Sequence, residues 1–152
     1  VYCIDVGESQ LSSSLLSENV RVIDNFNARN LSKELFDEEL DGITIDVSFI
    51  SLTCILGAAG AVLPERGHIL ALIKPQFECE GRNVGKNGIV RGEKRHRDII
   101  RKIYDFCLGL KLSPVALTNA PEIKGKNLEY VILLEKGGCA VPFDKLITGV
   151  HL

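Results

Sequence analysis

Residues 67–74, GHILALIK, decide the fold: Ile69 to Ile73 are all apolar, and the run closes on Lys74 directly before Pro75. A strand apolar at successive positions is covered on both faces, as strands of α/β proteins are. Proline cannot continue a ladder, so this strand stops at Lys74. Just upstream, residues 42–46 (GITID) form another strand, ending in a carboxylate, and residues 48–63 read as a buried helix stopped by Pro64. Further upstream, residues 1–6 and 20–24 (VRVID) read as strands, and residues 31–40 as a short helix capped by Ser32. Downstream, Ile99, Ile100, Ile103, Phe106, Cys107 and Leu110 recur at helical spacing within residues 93–110. Strands at residues 112–117 and 129–134 follow, joined by a turn-rich segment. Residues 76–92 are a loop of glycine, asparagine and charge, long enough to be a functional candidate. This alternation predicts an α/β sheet that is mainly parallel.

The chain has 152 residues, 45% of them apolar and 25% charged, which suits one domain with a real core. This excludes a disordered chain and a disulfide miniprotein. No stretch offers the roughly 20 apolar residues that a membrane span needs. The five cysteines include no C-x-x-C pair, and the three histidines lie far apart, so no metal is expected. Buried free thiols in a reducing cytoplasm account for the cysteines. Charge is segregated: residues 1–46 carry a net of −7, and residues 82–102 a net of +6. Arg82, Lys86, Arg91, Lys94 and Arg95 open this basic island, which suits a polyanion such as RNA. Charge alone leaves a solvated helix face equally open.

Ligands of open α/β sheets bind beyond the carboxyl ends of the strands. Asp5, Asp46 and Lys74 stand at such ends, and a carboxylate there can accept both hydroxyls of a ribose. A turn or cap role for each carboxylate, and a snorkelling role for the lysine, remain alternatives. If the last strand runs antiparallel, its first residue, Glu129, joins Asp46 and Lys74 at one edge. Such a cluster suits a lysine working near a substrate hydroxyl.

TIDVSFISL (residues 44–52), ALIKPQFE (71–78), VGKNGIVR (84–91) and NLEYVILL (127–134) together resemble the TlyA family. These are ribosomal RNA 2′-O-methyltransferases of the FtsJ/RrmJ-like class, often labelled haemolysin A. The resemblance runs from Val1 to about Lys136, and residues 137–152 form a tail beyond it. It implies a Rossmann-like class I fold dependent on S-adenosylmethionine, mostly parallel with an antiparallel last strand. Asp46, Lys74 and Glu129 match the last three members of the family's Lys-Asp-Lys-Glu set. VYCIDVGESQL (1–11) is similar to the family's second strand, with Asp5 at the ribose position. DNFNARNL (24–31) is similar to the next motif, with Asn27 near the adenine; Asp46 also counts among the cofactor residues. The family's first lysine, first strand with its glycine-rich loop, and small S4-type RNA-binding domain would precede Val1.

Without that strand, the strands ending at Asp5 and Asp46 face a gap whose backbone groups cannot stay buried unpaired. The expectation is a sheet that closes, distorts or is filled by a second copy as a homodimer, with weak cofactor binding by these residues alone. The expected partner is ribosomal RNA or a ribosomal subunit, and no membrane. A non-catalytic RNA-binding remnant and, further off, a membrane-lytic haemolysin are the alternatives.

Overall fold

The computed structural model describes residues 1–79 and 88–152. Strands β1 (Tyr2–Ile4) and β2 (Arg21–Ile23) pair in parallel, Cys3 opposite Val22. A separate four-stranded sheet has the order β3-β4-β6-β5, with β3 Gly42–Ile45, β4 His68–Ile73, β5 Leu112–Asn119 and β6 Tyr130–Lys136. β3 runs parallel to β4, whereas β6 is antiparallel to both its neighbours. The antiparallel last strand is thus inserted between β4 and β5, leaving Pro114 on an edge strand, next to a register shift.

The expected break in the sheet is there. Among the described residues β1 pairs only with β2 and β3 only with β4, and between them lies a cavity of about 520 Å³. Tyr2 and Ile4 line it from one side, and Gly42 to Val47 with Ile55 and Ala59 from the other. Residues 1–44 contribute no fully buried side chain; the core begins at Ile45.

Helices α1 (Thr53–Val62), α3 (Glu93–Gly109) and α4 (Phe143–Leu146) bury residues in one core cluster with Ile45, Ile69, Ala71, Ile73, Tyr130, Ile132 and Leu134. The strand registers place these sheet residues on one face. The opposite face is more open than the sequence suggested: Leu70 of β4 is 44% exposed. On α3 the buried stripe is His96, Ile99, Ile100, Ile103, Tyr104 and Cys107. Phe106 and Leu110, expected inside, are instead more than a third exposed.

Three expected elements differ. The predicted helix over residues 31–40 is a single 3₁₀ turn, Lys33–Leu35, and Ser32 makes no side-chain capping bond. The segment carries four acidic residues, and its four apolar side chains (Leu31, Leu35, Phe36 and Leu40) are only half-buried, too little packing to hold a longer helix. The predicted helix over 48–63 starts only at Thr53, because Phe49 adopts φ 64°, a left-handed conformation no helix accepts. The predicted loop from residue 76 begins as a one-turn helix, α2 (Pro75–Glu78), with proline at its favoured first position.

α1 is capped at both ends from elsewhere in the chain. The Leu52 N–H donates to Glu78 Oε1 (2.7 Å), and Lys136 Nζ donates to the carbonyls of Gly60 (2.8 Å) and Leu63 (2.7 Å). Residues 137–152 fold back onto the core. Phe143 and Leu146 are buried, the Tyr104 hydroxyl donates to the Val141 carbonyl (2.9 Å), and the Arg101 guanidinium stacks 3.5 Å over Phe143. Of the five free thiols, only that of Cys107 is buried, and burial pushes it up to about 12; Cys54 and Cys139 are exposed.

Candidate active site

β3 ends at Ile45 and β4 at Ile73, side by side and pointing the same way, so Asp46 and Lys74 emerge together. Pro75 opens α2 and fixes the backbone leaving Lys74. Lys74 Nζ forms an ion pair with Asp46 Oδ1 and donates to Ser48 Oγ (3.2 Å). The lysine side chain is 14% exposed and the aspartate 66%, so a sheltered amine is held by a carboxylate that faces water.

The β4–β6 register pairs Ile73 with Tyr130, and one step further sets Lys74 opposite Glu129. The antiparallel direction of β6 therefore brings its start to the active edge, as expected. The Glu129 carboxylate is held by Gln76, whose Nε2 donates to Oε1 at 2.8 Å. Gln76 Oε1 is buried and has no hydrogen-bond partner among the described residues. Beneath this edge, the buried Tyr130 hydroxyl bonds His96 Nδ1 (2.7 Å), and His96 Nε2 reaches the Val90 carbonyl (3.2 Å). That carbonyl only accepts, so Nε2 carries a proton. Burial pushes the Tyr130 phenol well above its ordinary range.

Asp5 and Asn27 sit at the carboxyl end of the β1–β2 pair, joined by the Phe26 N–H donating to the Asp5 carbonyl (2.9 Å). Asp5 Oδ1 accepts from the Gly7 N–H (2.7 Å), and Asn27 Oδ1 accepts from the Arg29 N–H (3.1 Å). The Asp5 carboxylate thus also does the turn work given as its alternative, and Asn27 caps the turn that follows it. The structure brings together Asp46 with Lys74, and Asp5 with Asn27, on two sheets that share no hydrogen-bonded strand pair.

Of the basic island, Arg82 and Lys86 lie outside the described residues. Arg91 and Lys94 are exposed at the start of α3, and Arg95 is half-buried. Two later members reach the C-terminal segment at the surface: Arg97 pairs with Asp144 (2.7 Å), and Arg101 lies over Phe143. Among the described residues no three His, Cys, Asp or Glu side chains gather as metal donors, and no helix is long and apolar enough to cross a membrane.

Four residues at this edge were not singled out from sequence: Ser48, Phe49, Gln76 and Glu78. Phe49 is 91% exposed, in its left-handed backbone, with its ring 5.1 Å from that of Phe77. Nothing in the letters signals that conformation. Gln76 and Glu78 stood within quoted motifs, and their polar character right after an apolar strand was the available hint.

A partly parallel sheet with its antiparallel last strand inserted, and a lysine and carboxylates gathered at the carboxyl edge, defines an α/β methyltransferase domain. Residues 1–136 match the FtsJ-like methyltransferase model, and the chain belongs to that family. It is 37% identical over 135 residues to Hemolysin A of Brachyspira hyodysenteriae, covering 86% of this chain and 56% of that protein. It is 34% identical over 142 residues to the 16S/23S rRNA (cytidine-2′-O)-methyltransferase TlyA of Mycobacterium tuberculosis, covering 88% of this chain and 51% of that one. A solved structure from Lactococcus lactis that carries a hemolysin name superposes with TM-score 0.88 at 36% identity, over 97% of this chain and 74% of that one. The chain spans about half the length of the curated relatives it matches.

Proposed function

We propose that this chain is the catalytic part of an S-adenosylmethionine-dependent methyltransferase acting on a ribose 2′-hydroxyl of ribosomal RNA. The observation that carries the reading is the Lys74 amine, held by Asp46 and Ser48 at the edge where β3 and β4 end. A lysine fixed there orients a hydroxyl and, as an ammonium, offsets the negative charge that develops on its oxygen. Asp46 holds the amine in place. Glu129, steadied by Gln76, completes the edge on the far side of Lys74.

The residues present fit the cofactor. Asp5 is exposed after a parallel strand, and with Oδ1 on the Gly7 N–H its Oδ2 remains for a ribose hydroxyl. Asn27 would lie beside the adenine, and Asp46 borders the cavity between the two sheets. When bound, the cofactor supplies a sulfonium methyl group already activated for transfer, so orientation of the acceptor provides much of the acceleration. The exposed Phe49 ring gives an unstacked base a face beside the reacting ribose. Arg91, Lys94 and Arg95, with Arg82 and Lys86, would meet the phosphates and give salt-dependent affinity.

The test is transfer of labelled methyl from S-adenosylmethionine to ribosomal subunits, by the 152-residue chain and by a form extended N-terminally to supply the first strand that the resemblance calls for. Alkaline cleavage of RNA needs a free 2′-hydroxyl, so a modified nucleotide leaves a gap in the hydrolysis ladder. A gap that requires Lys74 supports the reading. RNA binding without methyl transfer by either form would replace it with the non-catalytic remnant.

A further inference from the structure

Residues 47–52 link Asp46 to α1 and carry Ser48 and Phe49, yet no backbone hydrogen bond holds positions 47–50, the described turn bonds starting only at the Ser51 and Leu52 carbonyls. Lys74 holds Ser48, Val47 and Ile50 lean on the core and Phe49 meets Phe77, and the end of the segment is tied down by one carboxylate. Glu78 is 4% exposed; its Oε2 accepts from Ser51 Oγ (2.6 Å) and its Oε1 from the Leu52 N–H (2.7 Å). Ser51 Oγ in turn accepts from the Thr53 N–H (3.2 Å), so the carboxylate controls the first turn of α1. α1 has no side-chain cap of its own.

Glu78 stands on α2, four residues after Lys74, and Phe77 beside it bears on the Phe49 ring. α2 therefore has Lys74 at one end and a clamp on the facing segment at the other. We infer that Glu78 is a positioning residue: it sets where Ser48 and Phe49 stand relative to Lys74, and thus where an acceptor nucleotide is presented. A left-handed phenylalanine with an exposed ring keeps its place only if its surroundings over-determine it. Beside the Phe77 contact and the Lys74–Ser48 bond, the two bonds to Glu78 supply that determination from the α1 side. This role rests on the methyltransferase reading for its consequence in rate, but not for its consequence in structure.

The chain contains no tryptophan, so Phe49→Trp provides a single fluorescent reporter on the segment. In that background, Glu78→Ala leaves the Leu52 N–H without its acceptor, and the expected result is a fall in anisotropy with at least twofold stronger acrylamide quenching. Glu78→Gln retains a carbonyl acceptor and is expected to restore most of both signals. Ser51→Ala, which removes one of the two donors, is expected to give an intermediate value and serves if Glu78→Ala does not fold. Methyl transfer is measured, with Phe49 intact, in whichever form transfers in the assay above. There Glu78→Ala is expected to lower kcat at least tenfold with cofactor affinity unchanged, and Glu78→Gln to recover it. Folded Glu78→Ala with unchanged reporter signals, or glutamine no better than alanine, would overturn the inference. If the reporter responds as expected but the unsubstituted protein transfers no methyl, the clamp stands and the activity reading fails.

Discussion

Replacing Lys74 with methionine should separate chemistry from stability. The substitution keeps most of the aliphatic stem, which fills the sheltered strand end, and deletes the ammonium. Its partner Asp46 is 66% exposed, so the deletion strands no buried charge. A half-exposed pair of this kind contributes up to about 1 kcal/mol. In a domain of this size that moves Tm by about 2–4 °C. The loss in rate is of another order, because a group that offsets charge on a reacting oxygen contributes about 10²–10³-fold. The assay pairs a thermal melt with single-turnover methyl transfer to ribosomal subunits. Transfer within threefold of the unsubstituted protein would refute the catalytic role. A melt lowered by more than about 10 °C, equivalent to well over 2 kcal/mol, would show that Lys74 acts through the fold instead.

Phe143 is 4% exposed against Tyr104 and Arg101, so Phe143→Ala should cost about 3–5 kcal/mol in a urea melt, although it lies beyond the family match. A cost below about 1 kcal/mol would mean that the last residues are not part of the cooperative unit. Arg91→Ala and Lys94→Ala should each weaken RNA binding and lower the slope of log K against log salt by about 0.7–0.9, the signature of one lost phosphate contact. An unchanged slope would move the RNA footprint elsewhere. Folding holds the Cys107 thiol protonated up to about 12, whereas the unfolded thiol ionises near 9.0. The unfolded chain therefore releases its proton first, and this part of the stability, complete below pH 9, declines as pH rises toward 12. Urea melts from pH 8 to 11 should show the decline, and Cys107→Ala should shrink it.

The four-stranded sheet was legible because its strands are apolar runs closed by proline, glycine or charge, and their ends carry the proposed site: Asp46, Lys74 and Glu129 could be placed at one edge before any coordinates. The antiparallel start of β6 came from the family motif rather than from periodicity. The segment between Asp46 and α1 was illegible for a local reason. Apolar letters from Phe49 onward suit a buried helix, but the left-handed Phe49 backbone and the distant Glu78 carboxylate on the Leu52 N–H delay its start to Thr53. Residues 31–40 misled in the opposite way, since helix formers whose apolar side chains are only half-buried gain too little from packing to hold a short helix. The engagement of Arg97 and Arg101 depends on α4, whose residues carried no periodic signal of their own.

The absence of any fully buried side chain before Ile45 makes the β1–β2 pair a separate, lightly moored leaf. Ala28, Leu31 and Leu40 are the partly buried apolar pegs that fasten this part of the chain to the body. Asp5 and Asn27 ride on that leaf, while Asp46 and Lys74 ride on the body. A molecule gripped by both would act as a hinge pin, and part of its binding energy would go into quieting the leaf. Amide exchange would then slow on ligand binding at the Cys3–Val22 rung, while the β4–β6 rungs, already deep in the core, would barely change.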